Sequence, residues 1–213
     1  MTKNEFYYLA NFSVKPMKLK AFQDFWRGCL EVKGAEHLAT FTVIAGREGT
    51  NAVMSLFKIT DLNNWFRGKV GEDFTPELNE YCDAMEYTLL DKCDYSTIEN
   101  FYDEGEADGL HGLNLYCWAD IEIKSNRMND YHSFWSANNI VRHREVGAEH
   151  VATFNIISGK FGTTHVKRLF RIVDLEAWAD GEVGSHHHNN TWADKALQVW
   201  TTEMYPLPYS HLR

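Results

Sequence analysis

The sequence predicts an α+β protein in which one strand–helix–strand–strand–helix–strand unit is written twice. The first observation behind this is a repeat. GAEHLATFTVIAGREGTNAV begins at Gly34 and GAEHVATFNIISGKFGTTHV at Gly147, and the gapless alignment of 34–68 with 147–181 holds 19 identities in 35 positions. Upstream the match resumes after a shift of four residues, pairing Tyr7 with Tyr116, Ala10 with Ala119, Lys15 with Lys124, Phe25 with Phe134 and Trp26 with Trp135. Each copy, about a hundred residues, is too long for a solenoid unit and suits one small domain. The expected division is 1–92, an acidic connector 93–112, and 113–213. CDYSTIENFYDEGEADGLHG, with its acids and glycines, reads as exposed.

The second observation is hydrophobic period, which assigns the elements in order. EFYYLANFSV and LNLYCWADIEI are rich in aromatic and branched residues and predict the first strand of each copy. In MKLKAFQDFWRGCLEV the residues Leu19, Phe22, Phe25, Trp26, Cys29 and Leu30 recur at three and four positions, one apolar helix stripe; Met128, Tyr131, Phe134 and Trp135 repeat it. HLATFTVIAG and NAVMSLFKI form a hairpin through GREGT. DLNNWFRG and DLEAWADG open a second helical region with aspartate as N-cap, and AMEYTLLDK and ALQVWTTEMY close each copy as strands. In the first strand Phe6, Tyr8, Ala10 and Phe12 point one way, yet Tyr7 and Leu9 on the other side are hardly polar. A sheet apolar on both faces must be covered on both.

With its doubled βαββαβ order, the chain resembles the dimeric α+β barrel superfamily, in which two ferredoxin-like units join their sheets as a barrel with helices outside. The resemblance covers nearly all of the chain except the connector, with both units fused on one chain as a pseudo-twofold pair. It implies a monomer with an internal pseudo-dimer, or a homodimer of such chains. It also implies a range of activities, from cofactor-independent oxygenation, isomerisation and cyclisation to haem binding.

Composition bounds the partners. A formal net charge of −9 argues against nucleic acid or an anionic membrane surface, both of which need a basic face. The first residues show no signal-peptide pattern and no run reaches a membrane span, which predicts a cytoplasmic protein. Cys29, Cys82, Cys93 and Cys117 lack ligand-like spacing and read as buried, idle thiols. The histidines of HHHNN, His186 to Asn190, are metal-ligand types, but consecutive side chains do not converge on one ion, so no metal is assigned. No glycine-rich phosphate loop, nucleophile elbow or H-E-x-x-H is present.

Candidate site residues come from the repeated Glu36-His37 and Glu149-His150 pairs and from differences between copies. A histidine beside a carboxylate can act as a base, although closing the loop before the second strand is the preferred reading. Where the first copy has Ala52, Met54 and Ser55, the second has His165, Lys167 and Arg168; Asn11 and Ser13 are answered by Asp120 and Glu122. Strand alternation puts His165 and Lys167 on one face and Arg168 on the other, where a charge on an apolar face points to a carbonyl or anionic ligand or to a buried ion pair. Lys167 paired with Asp120 or Glu122 is the equally weighted structural alternative. His132, replacing Gln23, reads as solvent-facing before cavity-facing. The expected catalytic set is His150, His165 and Arg168, and the ligand-binding set is His37, Asp120, His132, Lys167 and Trp118, acting on a small cyclic or aromatic molecule without a nicotinamide or flavin. Binding without turnover is the alternative, and haem ranks last.

Overall fold

The computed structural model describes residues 5–67, 75–102, 114–136, 147–159, 162–180 and 196–212. The first half contributes β1 (Phe6–Val14), α1 (Leu19–Arg27), β2 (Ala35–Gly46), β3 (Ala52–Ile59), α2 (Leu62–Arg67), α3 (Thr75–Tyr81) and β4 (Cys82–Lys92). A 3-10 turn (Ile98–Phe101) precedes the second half, which contributes β5 (Leu115–Ile123), α4 (Met128–Phe134), β6 (Ala148–Ser158), β7 (His165–Ile172), α5 (Leu175–Ala179) and β8 (Ala196–Pro206). The strands close into a barrel in the order β1-β3-β2-β8-β5-β7-β6-β4, every pair antiparallel. Two seams, β2 with β8 and β4 with β6, join the halves. Closure leaves no unpaired sheet edge.

The two apolar faces of the strands find separate cores. Tyr7, Leu9, Phe41, Tyr116, Trp118 and Phe154 fill the barrel interior. Outside it, Phe22 and Trp26 of α1 pack on Tyr8, Ala10 and Phe12, while Tyr131 and Trp135 pack on Cys117, Ala119 and Phe170. No helix among the described residues is long and apolar enough to cross a membrane. All four cysteines are buried and free.

The repeated GAEH motif has a backbone explanation. Gly34 and Gly147 sit at φ 75° and 76°, and the Gly34 carbonyl accepts from Thr60 and Asp61 as that of Gly147 does from Val173 and Asp174. A Cβ on Gly34 would lie 2.6 Å from the Asp61 carbonyl, so only glycine fits. The aspartates then cap their helices, Asp61 accepting from Asn64 N at 2.9 Å and Asp174 from Ala177 N at 3.0 Å. Three residues on, β2 and β6 bulge between His37 and Ala39 and between His150 and Ala152. Residues three apart on a regular strand face opposite ways; the extra residue turns His37 and Thr40, and likewise His150 and Thr153, to the same side.

One expectation is corrected. The start of the connector is not exposed: Cys93, Ser96 and Ile98 are buried. This segment leaves β4 and packs on β6, with Cys93 N and Thr97 N donating to Thr153 O and Val151 O. The tail after β8 does the same to β2, with Leu207 N and His211 N donating to Thr40 O and Leu38 O. Each half thus lays its own C-terminal segment on the other half.

Candidate functional site

Between helix and barrel, each half carries a polar cluster built on its bulged histidine. In the first half Trp26 Nε1 donates to Ser55 Oγ at 2.7 Å, Ser55 Oγ shares a bond of 2.8 Å with Thr40 Oγ1, and Thr40 Oγ1 one of 2.9 Å with His37 Nε2. Ser210 closes the set, accepting from Thr40 N and donating to Thr40 O, both at 2.9 Å. Burial, then the neighbouring His211, push the His37 pKa down to about 4. This is a closed chain of neutral groups, and it supports the structural reading of the Glu36-His37 segment.

The second half keeps the frame and changes its contents. His150 Nε2 bonds Thr153 Oγ1 at 2.8 Å, and Ser96 takes Thr153 N and O at 2.8 and 2.9 Å. Where Ser55 stood, Arg168 is 1% exposed, donates Nε to Thr153 Oγ1 at 3.1 Å, and lies with its guanidinium 3.6 Å from the centroid of the Trp135 ring. That stacking stabilises a desolvated cation by up to about 2 kcal/mol. Burial and then Arg168 push the His150 pKa down to about 2, so this imidazole is neutral at physiological pH. Its Nε2 is tied to Thr153.

Beside this cluster opens a cleft of about 670 Å³, lined by Asp91, Cys93, Tyr95, His132 and Asn155 among others. His132 is not solvent-facing: its Nε2 lies 2.8 Å from Asn155 Oδ1 and its Nδ1 2.8 Å from Tyr95 Oη. The amide oxygen can only accept, so Nε2 carries the proton, and Nδ1 is left as the acceptor of the Tyr95 hydroxyl. Burial lowers the His132 pKa, the Asn155 bond works against that, and Arg168 adds to it. Burial raises Tyr95 well above the usual tyrosine range. The pair is therefore a neutral hydroxyl bonded to a neutral imidazole, which can pass a proton inward without forming tyrosinate. Cys93 Sγ is 3.9 Å from the same Nδ1, but burial pushes its pKa up to about 12 and keeps it a thiol.

The remaining sequence-derived residues lie elsewhere. Asp120 and Lys167 face the barrel interior and form a buried ion pair, Lys167 Nζ standing 5.9 Å from the Trp118 ring centroid. His165 stacks on Trp200 at 6.1 Å on that same side. Arg168, His150 and His132 thus meet on the helix side, Asp120, Lys167, Trp118 and His165 belong to the interior, and His37 belongs to the first half. His186–His188 lie outside the described residues, and no group of three or more metal-ligating side chains occurs among those described.

Tyr95 and Asn155 are the residues that sequence reasoning missed. A signal existed for both. Asp94-Tyr95-Ser96 and Pro208-Tyr209-Ser210 follow the closing strands at equivalent places, and Asn155 faces Thr42 in the gapless alignment. Tyr209 holds the matching position, its ring 6.0 Å from His37 as that of Tyr95 is 6.0 Å from His150.

No protein-family model matches the chain, and no curated protein does. Solved structures do. A provisionally assigned monooxygenase of Fusobacterium nucleatum subsp. nucleatum superposes with a TM-score of 0.63 at 10% identity, covering 100% of this chain and 98% of that one. An anthrone oxidase-like protein gives 0.59 at 10% identity over 97% and 92% of the two chains. A haem-binding protein from Thermus thermophilus gives 0.51 at 9% over 95% and 92%. At these identities the likeness establishes the fold: this chain is a closed eight-stranded antiparallel barrel of the kind found in several monooxygenase-like and haem-binding-like proteins.

Proposed function

We propose that the chain is a duplicated ferredoxin-like unit, 1–92 and 113–213 joined by 93–112, whose second half binds a small cyclic or aromatic metabolite in the helix-side cleft. There it carries out cofactor-independent chemistry that begins with proton removal, as an oxygenase, isomerase or cyclase does. The observation that carries this is the Tyr95–His132–Asn155 chain on the wall of the cleft, with Arg168 buried behind it. The strand order β4-β1-β3-β2 in one half and β8-β5-β7-β6 in the other, together with the exchanged tails, supports the duplication. The free thiols suit a cytoplasmic setting, and closure within one chain suits a monomer.

In this reading Arg168 holds a substrate carbonyl or carboxylate. A substrate proton passes to Tyr95 Oη as the hydroxyl proton of Tyr95 passes to His132 Nδ1; Asn155 steadies the resulting imidazolium, and the anion left on the substrate is held by the guanidinium. Arg168 disfavours that imidazolium while the cleft is empty, and the new anion cancels the penalty. Proton movement falls to His132 because it lines the cleft, whereas His150 does not and is far harder to protonate, and His165 faces the barrel interior.

A native mass spectrum of the untagged, gently purified protein tests the site. A bound organic molecule is expected, and Arg168→Ser, the first half's residue, should release it. A bound molecule that this variant retains overturns the assignment. His132→Gln alone separates catalysis from binding, since it removes turnover but leaves the Arg168 contact.

A further inference from the structure

Past Tyr95 and His132, beneath α4, lie two donors that proton transfer at His132 does not explain. Arg168 Nη2 and Tyr131 Oη are both buried, and neither makes a well-formed hydrogen bond among the described residues, Arg168 being the group that approaches the Tyr131 hydroxyl as a donor. No described carboxylate pairs with the guanidinium, whose Nε is bonded to the neutral hydroxyl of Thr153. The two groups are also a joint departure from the first half, where Ser55 stands for Arg168 and Phe22 for Tyr131. A buried cation without a counter-charge costs several kcal/mol, and an orphaned hydroxyl about 1–3 kcal/mol. The first half's cluster carries no buried cation, though its Tyr209 Oη likewise lacks a well-formed hydrogen bond, whereas the second carries a cation and a hydroxyl side by side. An incoming oxyanion removes both costs at once.

The groups are close enough to interact: burial pushes the Tyr131 pKa up to about 12, and the Arg168 charge and its side-chain hydrogen bond to the hydroxyl pull it back. The ring of Tyr131 lies 5.6 Å from that of His132, which lines the cleft, while Tyr131 and Arg168 are themselves buried behind that lining. At the mouth the charge is reversed. Glu5 is tied to Lys58 and Lys92, whereas Asp91 and Asp94 stand close enough for Asp94 to add to the burial that raises the Asp91 pKa. A negative rim around a single inner cation repels multiply charged anions and admits one negative charge.

We propose that Arg168 Nη2 and Tyr131 Oη form a head-group subsite for a singly charged planar oxyanion, an aromatic carboxylate or enolate, in preference to neutral or doubly charged molecules. This rests on the cleft being the ligand site. Two donors, one of them charged, suit the two oxygens of such a head group, and Trp135 beneath the guanidinium keeps it planar to the incoming ligand.

Calorimetric titration of the whole chain with benzoate, benzamide and phenyl phosphate, three probes of similar shape, tests it. Benzoate should bind at least about tenfold more tightly than benzamide, and phenyl phosphate no more tightly than benzamide. Arg168→Ser should erase the benzoate-to-benzamide ratio and Tyr131→Phe should reduce it, each importing the first half's residue. Equal affinities for the two in the wild type, a ratio that either variant leaves unchanged, or phenyl phosphate binding above benzoate overturns the subsite while leaving the cleft reading standing. Failure of all three to bind defeats the cleft reading, and the subsite with it.

Discussion

Two regions that share a backbone, the helix-side clusters of the two halves, have been put to different use. In the first, Trp26, Ser55, Thr40 and His37 satisfy one another in a line. In the second, Arg168 breaks the line, Tyr95 and Asn155 hold His132 at the wall of a cleft, and a buried guanidinium takes the place of a serine. The bulge, the glycine turn and the incoming Tyr-Ser of the other half's tail are common to both. What is common is therefore scaffold, and what differs is the candidate chemistry.

The largest test of this contrast is to force the second half's residue on the first. Ser55→Arg should cost about 4 kcal/mol in urea denaturation, because it buries a cation and takes the acceptor from Trp26 Nε1. A loss below about 1 kcal/mol would mean that the closed line matters little. Next come the exchanged tails: Ile98 and Leu212, both fully buried in the barrel core, should each cost about 3 kcal/mol as alanine, and by similar amounts. Strongly unequal losses would break the equivalence of the tails.

The buried histidines predict a pH slope. Unfolded histidine takes up a proton near pH 6.5, but folded His37 does so only near 4 and His150 near 2. Below pH 6.5 the unfolded chain binds more protons, so their contribution is complete above that pH and is lost as pH falls. Each should remove roughly 1.4 kcal/mol per pH unit, His37 down to about pH 4 and His150 further. Denaturation at pH 7, 6 and 5 checks it: His37→Gln and His150→Gln should each flatten the slope, and an unchanged slope would place these imidazoles in water. The smallest effect is at the serines. Ser96→Ala and Ser210→Ala should each cost about 1–2 kcal/mol, since each leaves a buried threonine N–H without its acceptor.

Much of this was legible beforehand. The 3.6-residue stripe of α1 and the alternation on β7, which separates His165 and Lys167 from Arg168, follow from local period, and the Asp120–Lys167 pair follows from the adjacency of the first and third strands. The connector was misjudged because acids and glycines dominate its composition, while the buried residues Cys93, Ser96 and Ile98 are few and early. His132 looked solvent-facing because its partners come from far along the chain: Tyr95 from the other half's tail and Asn155 from the following strand, 23 residues on. Contacts made by an exchanged segment leave no periodicity to read.

The account's central claim is that one half works and the other holds. Calorimetric titration of the whole chain with benzoate measures it most directly through the number of sites. One site per chain, weakened at least about tenfold by Arg168→Ser and untouched by Gln23→Ala, is the predicted result; two sites per chain, or one whose affinity Arg168→Ser leaves unchanged, would contradict it.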